Sequence, residues 1–309
     1  METPLISRRA VVGAGLSLAL APVAAAVPLP QSAAPEAVAP DSHRTGGFAL
    51  GCQAYTYNRF TVFEAIEKTA QAGGKVIEFY PGQRLDAPAA GGGGGGGPRF
   101  DHNSPDDAVA RVKEYLEKNG VRAVAYGVVG LGRDEAANRR VFEYAKKMGI
   151  TTITSEPDAA AFDVIEKLVK EYDVRVAIHN HPKQDRNPNY RLWDPDYVLS
   201  IVKSRDSRIG ACADTGHWAR SGVKPVDGIR KLKERVLSLH LKDVDVLGPA
   251  AKDVPFGTGV ADMPAMLAEL KRLKVVGPVS IEYERGGEGP VWEVAQCVGF
   301  VRGWSATKR

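Results

Sequence analysis

The sequence predicts a single-domain α/β protein built as a (β/α)8 TIM barrel. Strand-like and helix-like segments alternate along the chain from residue 48 onward, and eight segments have strand character. Alternation repeated this often favours a closed parallel barrel over an open sheet. Asp, His and Glu residues follow the later strands directly. The carboxyl ends of the strands are where such barrels keep their active sites.

Each predicted strand is a mainly apolar run whose length is typical of a β-strand. The eight are Phe48–Ala54, Lys75–Tyr80, Val121–Val129, Ile150–Ser155, Val174–His179, Ile209–Ala213, Val236–His240 and Pro278–Glu282.

The intervening segments carry helix start and stop signals. Thr61 and Glu64 have the spacing of a capping box, and Pro105 and Pro195 follow Ser and Asp at predicted helix starts. The other predicted helices are Glu135–Met148, Ala159–Tyr172, Val226–Arg235, Met263–Leu273 and Val291–Val301.

Composition excludes several classes of protein. The chain has 309 residues, of which 44% are hydrophobic, which is enough for a large core. With 41 basic and 37 acidic residues, the net charge of +4 does not favour nucleic-acid binding. The three cysteines (Cys52, Cys212 and Cys297) are an odd number without CxxC spacing. They predict buried thiols and no disulfide framework.

The N-terminal segment has the pattern of an export signal. Arg8 and Arg9 precede an apolar stretch that ends in small residues, so residues 1–27 are predicted to be a twin-arginine signal peptide. A membrane anchor retained on the mature chain is the alternative. Residues 28–47, rich in Pro, Ala and Ser, are predicted to be a disordered linker before the barrel domain of residues 48–309. We therefore expect an exported, periplasmic protein that is free of the membrane after cleavage.

A glycine-rich insertion at residues 87–98 interrupts the alternation after the second strand. Its seven consecutive glycines have no side chains to pack and are costly to order, so a mobile surface insertion is predicted. Because it leaves the carboxyl end of a strand, a lid is the alternative.

Ionisable residues crowd the ends of the fourth to eighth strands. They are Glu156, His179, His181, Asp214, His217, His240, Lys242, Asp243, Glu282 and Glu284. Buried charges need a partner or a metal, so this convergence predicts a divalent metal site, with a network of His and carboxylate pairs as the alternative. Strand alternation puts Glu282 and Glu284 on the same side, and the deeper Glu282 is the predicted ligand.

Five segments carry a resemblance to a known superfamily: VAIHNHP, GACADTGHW, LSLHLKDV, FGTGVAD and VSIEYE. Together they resemble the xylose isomerase-like barrels, which include sugar phosphate isomerases, ketose 3-epimerases, hydroxypyruvate isomerase, inosose dehydratase and endonuclease IV. The similarity covers roughly Phe48 to Trp304. It implies one divalent metal ion, with Mn, Zn, Fe and Co not distinguished.

The resemblance also implies which residues hold the metal. The ketose epimerases use Glu, Asp, His and Glu from strands five to eight, and Asp214, His240 and Glu282 match the last three. His179 falls on the first position, where it replaces one of the two carboxylates that epimerases use to move protons. The predicted metal ligands are therefore His179, Asp214, His240 and Glu282.

Further residues receive predicted roles in catalysis and substrate binding. The predicted catalytic residues are Glu282, Glu156 as base or extra ligand, and Lys242, which stabilises an enediolate oxygen or forms an ion pair with Glu156. The predicted substrate-binding residues are His181, His217, which matches a family His that contacts substrate oxygens, and Trp193, whose ring could stack on a sugar.

These features predict a metal-dependent isomerase or epimerase that acts through an enediolate on a keto-sugar or aldose. The predicted export favours substrates without phosphate. The alternatives are a lyase or hydratase acting on 3-keto sugars or glycosides, and a non-catalytic sugar-binding barrel. A sugar is the expected partner, nucleic acid is not, and homo-oligomerisation stays open.

Overall fold

The structure is a computed structural model that describes Met1 and residues 38–86, 97–285 and 290–307. Apart from Met1, the predicted signal peptide lies outside the described residues, and so do residues 87–96 of the glycine-rich insertion. From Val38 to Thr307 the described residues belong to one compact unit. None of the helices among them is long and apolar enough to cross a membrane.

Eight parallel strands close into a barrel, which confirms the predicted (β/α)8 fold. Each strand pairs with its neighbours in chain order, and the eighth pairs with the first. The strands are β1 (Ala49–Gln53), β2 (Val76–Phe79), β3 (Arg122–Val129), β4 (Thr152–Ser155), β5 (Arg175–Ile178), β6 (Ile209–Asp214), β7 (Val236–Leu241) and β8 (Pro278–Ile281).

Helices follow the strands and cover the outside of the barrel. They are α1 (Val62–Gln71), α2 (Asp106–Lys118), α3 (Glu135–Met148), α4 (Phe162–Tyr172), α5 (Pro195–Val202), α6 (Thr215–Arg220), α7 (Pro225–Leu232), α8 (Met263–Arg272) and α9 (Val291–Ala306).

The helix signals read from the sequence are largely confirmed. Thr61 and Glu64 form the capping box of α1, and Asp194 caps α5 with Pro195 in the first turn. Pro105 is the N-cap of α2 and not its first helical residue. The short helix α6 was not predicted, because Thr215–Arg220 offers less than two turns of periodicity.

The end of the predicted linker is part of the fold. Val38 and Ala39 are buried in a small apolar cluster with Ala49, Val76 and Val124, which lie near the amino ends of β1, β2 and β3. The predicted boundary at residue 47 is therefore too late, because this apolar pair covers the bottom of the barrel.

Two short antiparallel ribbons project from the carboxyl side of the barrel. One pairs Gln83–Arg84 with Arg99–Phe100 and flanks the glycine-rich insertion. The other pairs Asp243–Val244 with Asp253–Val254 beyond β7. The barrel thus concentrates its irregular segments at the end where the ionisable residues lie.

Candidate metal centre

The Asp-Thr-Gly-His segment at the end of β6 builds one side of the centre. Asp214 is the N-cap of α6: its Oδ1 accepts a hydrogen bond from the backbone N–H of His217 at 2.7 Å. This bond turns the second oxygen, Oδ2, toward the barrel axis, where Asp214 is fully buried. Thr215 Oγ1 contacts both the N–H and the carbonyl of Lys242 at 2.8 Å, which ties α6 to the end of β7.

Gly216 leaves room for the lysine side chain. A Cβ atom at this position would lie 2.6 Å from Lys242 Cδ and 2.9 Å from Lys242 Cβ. Contacts that short are not tolerated, and Lys242 is itself buried. The motif therefore supplies a cap, a link between strands, space for Lys242 and the imidazole of His217.

The end of β5 supplies His179 and fixes its ring. His179 Nδ1 lies 3.3 Å from Glu156 Oε1, which leaves Nε2 pointing toward Asp214 Oδ2 at 3.6 Å. The neighbouring Asn180 bridges β5 and β6: its amide donates to the carbonyl of Asp214 and its oxygen accepts from the Asp214 N–H. Asn180 thus holds the backbone of a predicted ligand in register.

His240 on β7 has a carboxylate behind it that the sequence analysis did not identify. Its Nε2 lies 3.1 Å from Oε1 of Glu78, a fully buried residue on β2. Glu78 Oε2 accepts a hydrogen bond from Ser280 at 2.7 Å. A carboxylate at Nε2 favours the proton on that nitrogen and leaves Nδ1 available as a ligand.

Four potential ligand atoms meet at the centre of this arrangement. They belong to His179, Asp214, His240 and Glu282 and all lie within 4.8 Å of one another. His240 Nδ1 is 3.2 Å from Glu282 Oε2 and 3.9 Å from Asp214 Oδ2. Ligands about 2.0 to 2.2 Å from one ion stand roughly 3 to 3.5 Å apart, so small side-chain shifts would close the set around an ion.

Two further observations show that these residues fit a divalent metal ion. His179 Nε2 and His240 Nδ1 are buried and have no hydrogen-bond partner within the described part of the chain. Such atoms are rare unless an ion or water satisfies them. The two carboxylates, Asp214 and Glu282, bring a negative charge that a cation would balance.

Lys242 already supplies one positive charge among the carboxylates. Its Nζ lies 2.9 Å from Asp214 Oδ2, 2.7 Å from Glu282 Oε2 and 2.6 Å from Glu284 Oε2. Burial alone would lower the pKa of Lys242, but these carboxylates raise it well above its usual value. Lys242 therefore neutralises part of the carboxylate charge at the centre.

Asp214, Glu282 and His240 are held in their charged forms. Burial tends to raise the pKa values of Asp214 and Glu282, but the ammonium of Lys242 outweighs it for both, with a further contribution from His240 for Glu282, so both values are lowered. Burial tends to lower the pKa of His240, but Cys212 and the carboxylates Glu78 and Glu282 raise it well above its usual value. Metal binding at His240 would therefore release a proton.

The carboxylate of Glu156, a predicted base, is engaged by three side chains. Its Oε1 contacts Nδ1 of His179 and of His181, the latter at 2.5 Å, and accepts a hydrogen bond from Tyr190 at 2.8 Å. Burial would raise the pKa of Glu156, but the bonds to the two histidines lower it well below its usual range. Glu156 does not contact Lys242 in the predicted ion pair, because its carboxylate is turned toward β5.

A cavity of about 260 Å³ opens above the four ligand atoms. Its residues come from the ends of β1, β2, β3, β5, β6 and β8: Gln53, Tyr55, Tyr80, Pro81, Val128, His179, His181, His217, Glu282 and Glu284. Burial lowers the pKa of His217, which keeps this imidazole neutral and able to accept or donate a hydrogen bond.

Trp193 does not line this cavity, although the sequence analysis assigned it to substrate binding. Its ring lies 5.4 Å from Lys183 Nζ on the loop that precedes α5. His181 and His217 do line the cavity, and their rings are 5.2 Å apart. Gln53 also lines the cavity, but it carried no spacing signal that would have identified it.

The family model for the xylose isomerase-like TIM barrels matches residues 66–297 of this chain. The chain belongs to this family. The match spans α1 to α9 and so includes every residue of the four-ligand set. The resemblance inferred from the five sequence segments is thereby confirmed.

Two solved structures illustrate how similar individual proteins are to this chain. A solved structure of an uncharacterised protein from Parabacteroides distasonis is 31% identical, covers 83% of this chain and 99% of its own, and superposes with a TM-score of 0.64. A D-psicose 3-epimerase solved in the presence of D-fructose is 16% identical, covers 81% of this chain and 93% of its own, and has a TM-score of 0.57. At that identity the likeness concerns the fold alone.

A curated relative of this xylose isomerase-like chain is the rhizopine catabolism protein MocC of Rhizobium meliloti. It is 26% identical over 188 residues, which are 55% of this chain and 54% of MocC. The chain therefore spans about half the length of the curated relative that it matches.

Proposed function

We propose that this chain is a divalent-metal-dependent sugar isomerase or epimerase that forms an enediolate from a non-phosphorylated aldose or keto-sugar. The observation that carries the proposal is the set of four ligand atoms from His179, Asp214, His240 and Glu282 beneath a cavity at the carboxyl end of the barrel. An ion held there would supply stabilisation for the negative charge that develops on the substrate oxygens.

The chain's own residues provide the remaining requirements of this chemistry. His217 and His181 reach the cavity and are suited to hydrogen bonding with hydroxyl or carbonyl oxygens. Gln53 is fixed by a bond from its amide to the Gly127 carbonyl and by a bond from the Tyr55 N–H to its oxygen. Tyr55 and Tyr80, whose ring centroids are 5.3 Å apart, form an apolar wall that limits access of water.

The cavity wall also supports a substrate without phosphate. No Lys or Arg is among the ten described residues that line it. Phosphate recognition normally uses Arg, Lys or a helix N-terminus. The ammonium of Lys242, which contacts Glu282 and Glu284 of this wall, is buried and engaged by three carboxylates. Free sugars suit this surface better than sugar phosphates.

A lyase acting on 3-keto sugars or glycosides is the second candidate, and one observation favours it. His179 stands where two-carboxylate epimerases have Glu, and it is directed at Asp214 and the ligand set. Elimination shares the first proton abstraction with isomerisation but does not need a second carboxylate on the opposite face.

The test is proton exchange in heavy water, followed by NMR. The protein, loaded with Mn, Zn, Co or Fe, is incubated with D-fructose, D-tagatose, D-glucose, D-xylose and methyl 3-keto-β-D-glucoside. We expect deuterium beside the carbonyl of at least one sugar, loss of exchange after chelation, and recovery when metal is returned. Asp214→Asn removes a ligand charge and is expected to abolish the exchange.

The products separate the candidates. Aldose-ketose conversion indicates an isomerase, inversion at one carbon an epimerase, and methanol release from the 3-keto glucoside a lyase. D-fructose 6-phosphate, as the matched phosphorylated sugar, is expected to react more slowly than D-fructose. Metal binding without exchange in any of these sugars would contradict the proposed enzyme and indicate a sugar-binding barrel.

A further inference from the structure

The carboxylates of the site differ in what they are free to do. Glu78 is fully buried against His240 and Ser280, and Glu156 is bonded to two histidines and a tyrosine. Asp214 and Glu282 belong to the four-ligand set. The remaining carboxylate is Glu284, which lines the cavity and is not part of that set; with His217 and Glu282 it forms a second, less buried group of possible ligands.

Glu284 is held at the cavity wall from two sides. Its backbone N–H donates to Asp253 Oδ2 at 2.8 Å, and Asp253 is buried and paired with Arg220 at 2.7 Å. Its side-chain Oε2 lies 2.6 Å from Lys242 Nζ and 3.9 Å from His217 Nε2. The backbone anchor and the ammonium together fix the carboxylate, while 29% of the side chain stays accessible to solvent.

We infer that Glu284 is the catalytic carboxylate that removes the substrate proton and returns it. This inference rests on the proposed function. It differs from the two-carboxylate scheme implied by the resemblance, where the proton-moving groups are themselves metal ligands. In this chain, proton transfer and metal binding fall on separate residues, Glu284 and Glu282, which lie two positions apart beyond β8.

The proton step balances without any further reactant. A Glu284 oxygen forms a bond to the hydrogen on the carbon beside the substrate carbonyl as that C–H bond breaks. The C–H electron pair becomes the C=C bond, and the carbonyl π pair moves onto its oxygen. Isomerisation is completed when Glu284 returns the proton to the former carbonyl carbon and the proton of the neighbouring hydroxyl moves to the enolate oxygen, so that the neighbouring carbon becomes the new carbonyl. In elimination the enolate oxygen re-forms the C=O bond, the C=C pair forms the new double bond to the β-carbon, and the leaving oxygen takes the pair of its broken bond and the proton held by Glu284.

Among the described residues that line the cavity, the only carboxylates are Glu282 and Glu284. The ends of β1, β2 and β3, on the side where β1 pairs with β8, contribute Tyr55, Tyr80, Pro81 and Val128. None of these is a carboxylate, and the β5 position that carries the second Glu of the epimerases is His179. Because the other carboxylate that lines the cavity, Glu282, belongs to the four-ligand set, Glu284 returns the proton to the face from which it took it, which favours isomerisation or elimination over epimerisation.

The experiment compares Glu284→Gln with Glu284→Asp in the metal-loaded full-length protein. Both are measured for metal content by elemental analysis, for metal affinity by titration with Zn or Mn, and for deuterium exchange on the sugar panel above. We expect the Gln variant to keep one metal ion per chain with wild-type affinity and to lose at least about 100-fold in exchange rate. The Asp variant, which retains a carboxylate, is expected to recover part of the rate.

The other possible outcomes contradict either the role of Glu284 or the proposed function. Exchange by Glu284→Gln at the wild-type rate would show that another group moves the proton and leave the proposed function standing. Loss of metal from Glu284→Gln would make Glu284 a ligand and not the base. Absence of exchange in the wild type would overturn the proposed function, and the role of Glu284 would fall with it.

Discussion

At the scale of single residues, the ligand set was predictable but its support was not. His179, Asp214, His240 and Glu282 stand at strand ends, so strand alternation and the family resemblance together brought them to one place. Glu78 gave no such signal, because it lies inside β2 among apolar neighbours and its partner His240 is 162 positions further along the chain. Only the closure of the barrel brings the two together.

The direction of the Glu156 side chain was not predictable from the sequence either. The sequence places it at the end of β4 with a free choice of roles, as base, ligand or partner of Lys242. The structure turns it toward β5, where it contacts His179 and His181. A side chain's direction beyond a strand end depends on the loops around it, here on Tyr190, and spacing does not encode that direction.

Glu78→Gln tests the support of His240 directly. Removing the charge beside Nε2 weakens the preference for the proton on that nitrogen, so the metal dissociation constant is expected to rise about 10- to 100-fold. The measurement is competition with a chromogenic chelator. The matched control is Glu269→Gln, a buried glutamate on α8 paired with Arg272, which is expected to leave metal affinity unchanged. Equal affinity in Glu78→Gln and wild type would contradict the assigned role.

At the scale of elements, the short helix α6 was not predicted from the sequence. The strands and the longer helices follow from the apolar period and from capping residues, such as the Thr61 capping box of α1 and the left-handed Gly149 that ends α3. The six residues of α6 are too few for a period to be recognised. Its formation depends on Asp214 serving as cap and on Thr215 binding the backbone of Lys242.

Gly216→Ala tests how tightly α6 packs on Lys242. The added methyl group would meet Lys242 Cδ at 2.6 Å, and the lysine cannot move without leaving its carboxylates. We expect a loss of about 1 to 3 kcal/mol in the free energy of unfolding, measured by urea denaturation, together with weaker metal binding.

Gly299→Ala in α9 is the matched control for this substitution. A Cβ there meets nothing within 4 Å, so relief of glycine's conformational freedom is expected to stabilise the helix by about 0.5 to 1 kcal/mol. If Gly216→Ala were as stable as Gly299→Ala, close packing of α6 on the lysine would not be a constraint.

At the scale of the whole molecule, the (β/α)8 topology was predictable because eight repeats of one pattern leave little choice of fold. The residue at which the folded unit begins was less predictable. Val38 and Ala39 lie in a stretch whose composition is typical of disorder, yet they cover the amino ends of three strands. The composition of a segment is an average over all its residues, so it does not reveal that two of them are buried.

Export through the twin-arginine route stays a prediction from Arg8 and Arg9. Replacing both with Lys keeps the charge but removes the pair that the route recognises, so precursor is expected to accumulate inside the cell. Cell fractionation and the N-terminal mass of the product measure this. The same double change at Arg139 and Arg140, an arginine pair on α3, is the control and should not alter export. Equal export of both variants would contradict the twin-arginine assignment.

The central claim, that one divalent ion is held by His179, Asp214, His240 and Glu282, is tested most directly by elemental analysis of the purified protein. Wild type grown with ample Mn, Zn, Co and Fe is compared with His240→Ala, Glu282→Ala and the control His102→Ala, whose ring contacts Tyr126 away from the ligand set. The account predicts close to one ion per chain in wild type and control, and almost none in the other two variants. Metal-free wild type, or unchanged metal content in His240→Ala and Glu282→Ala, would contradict it.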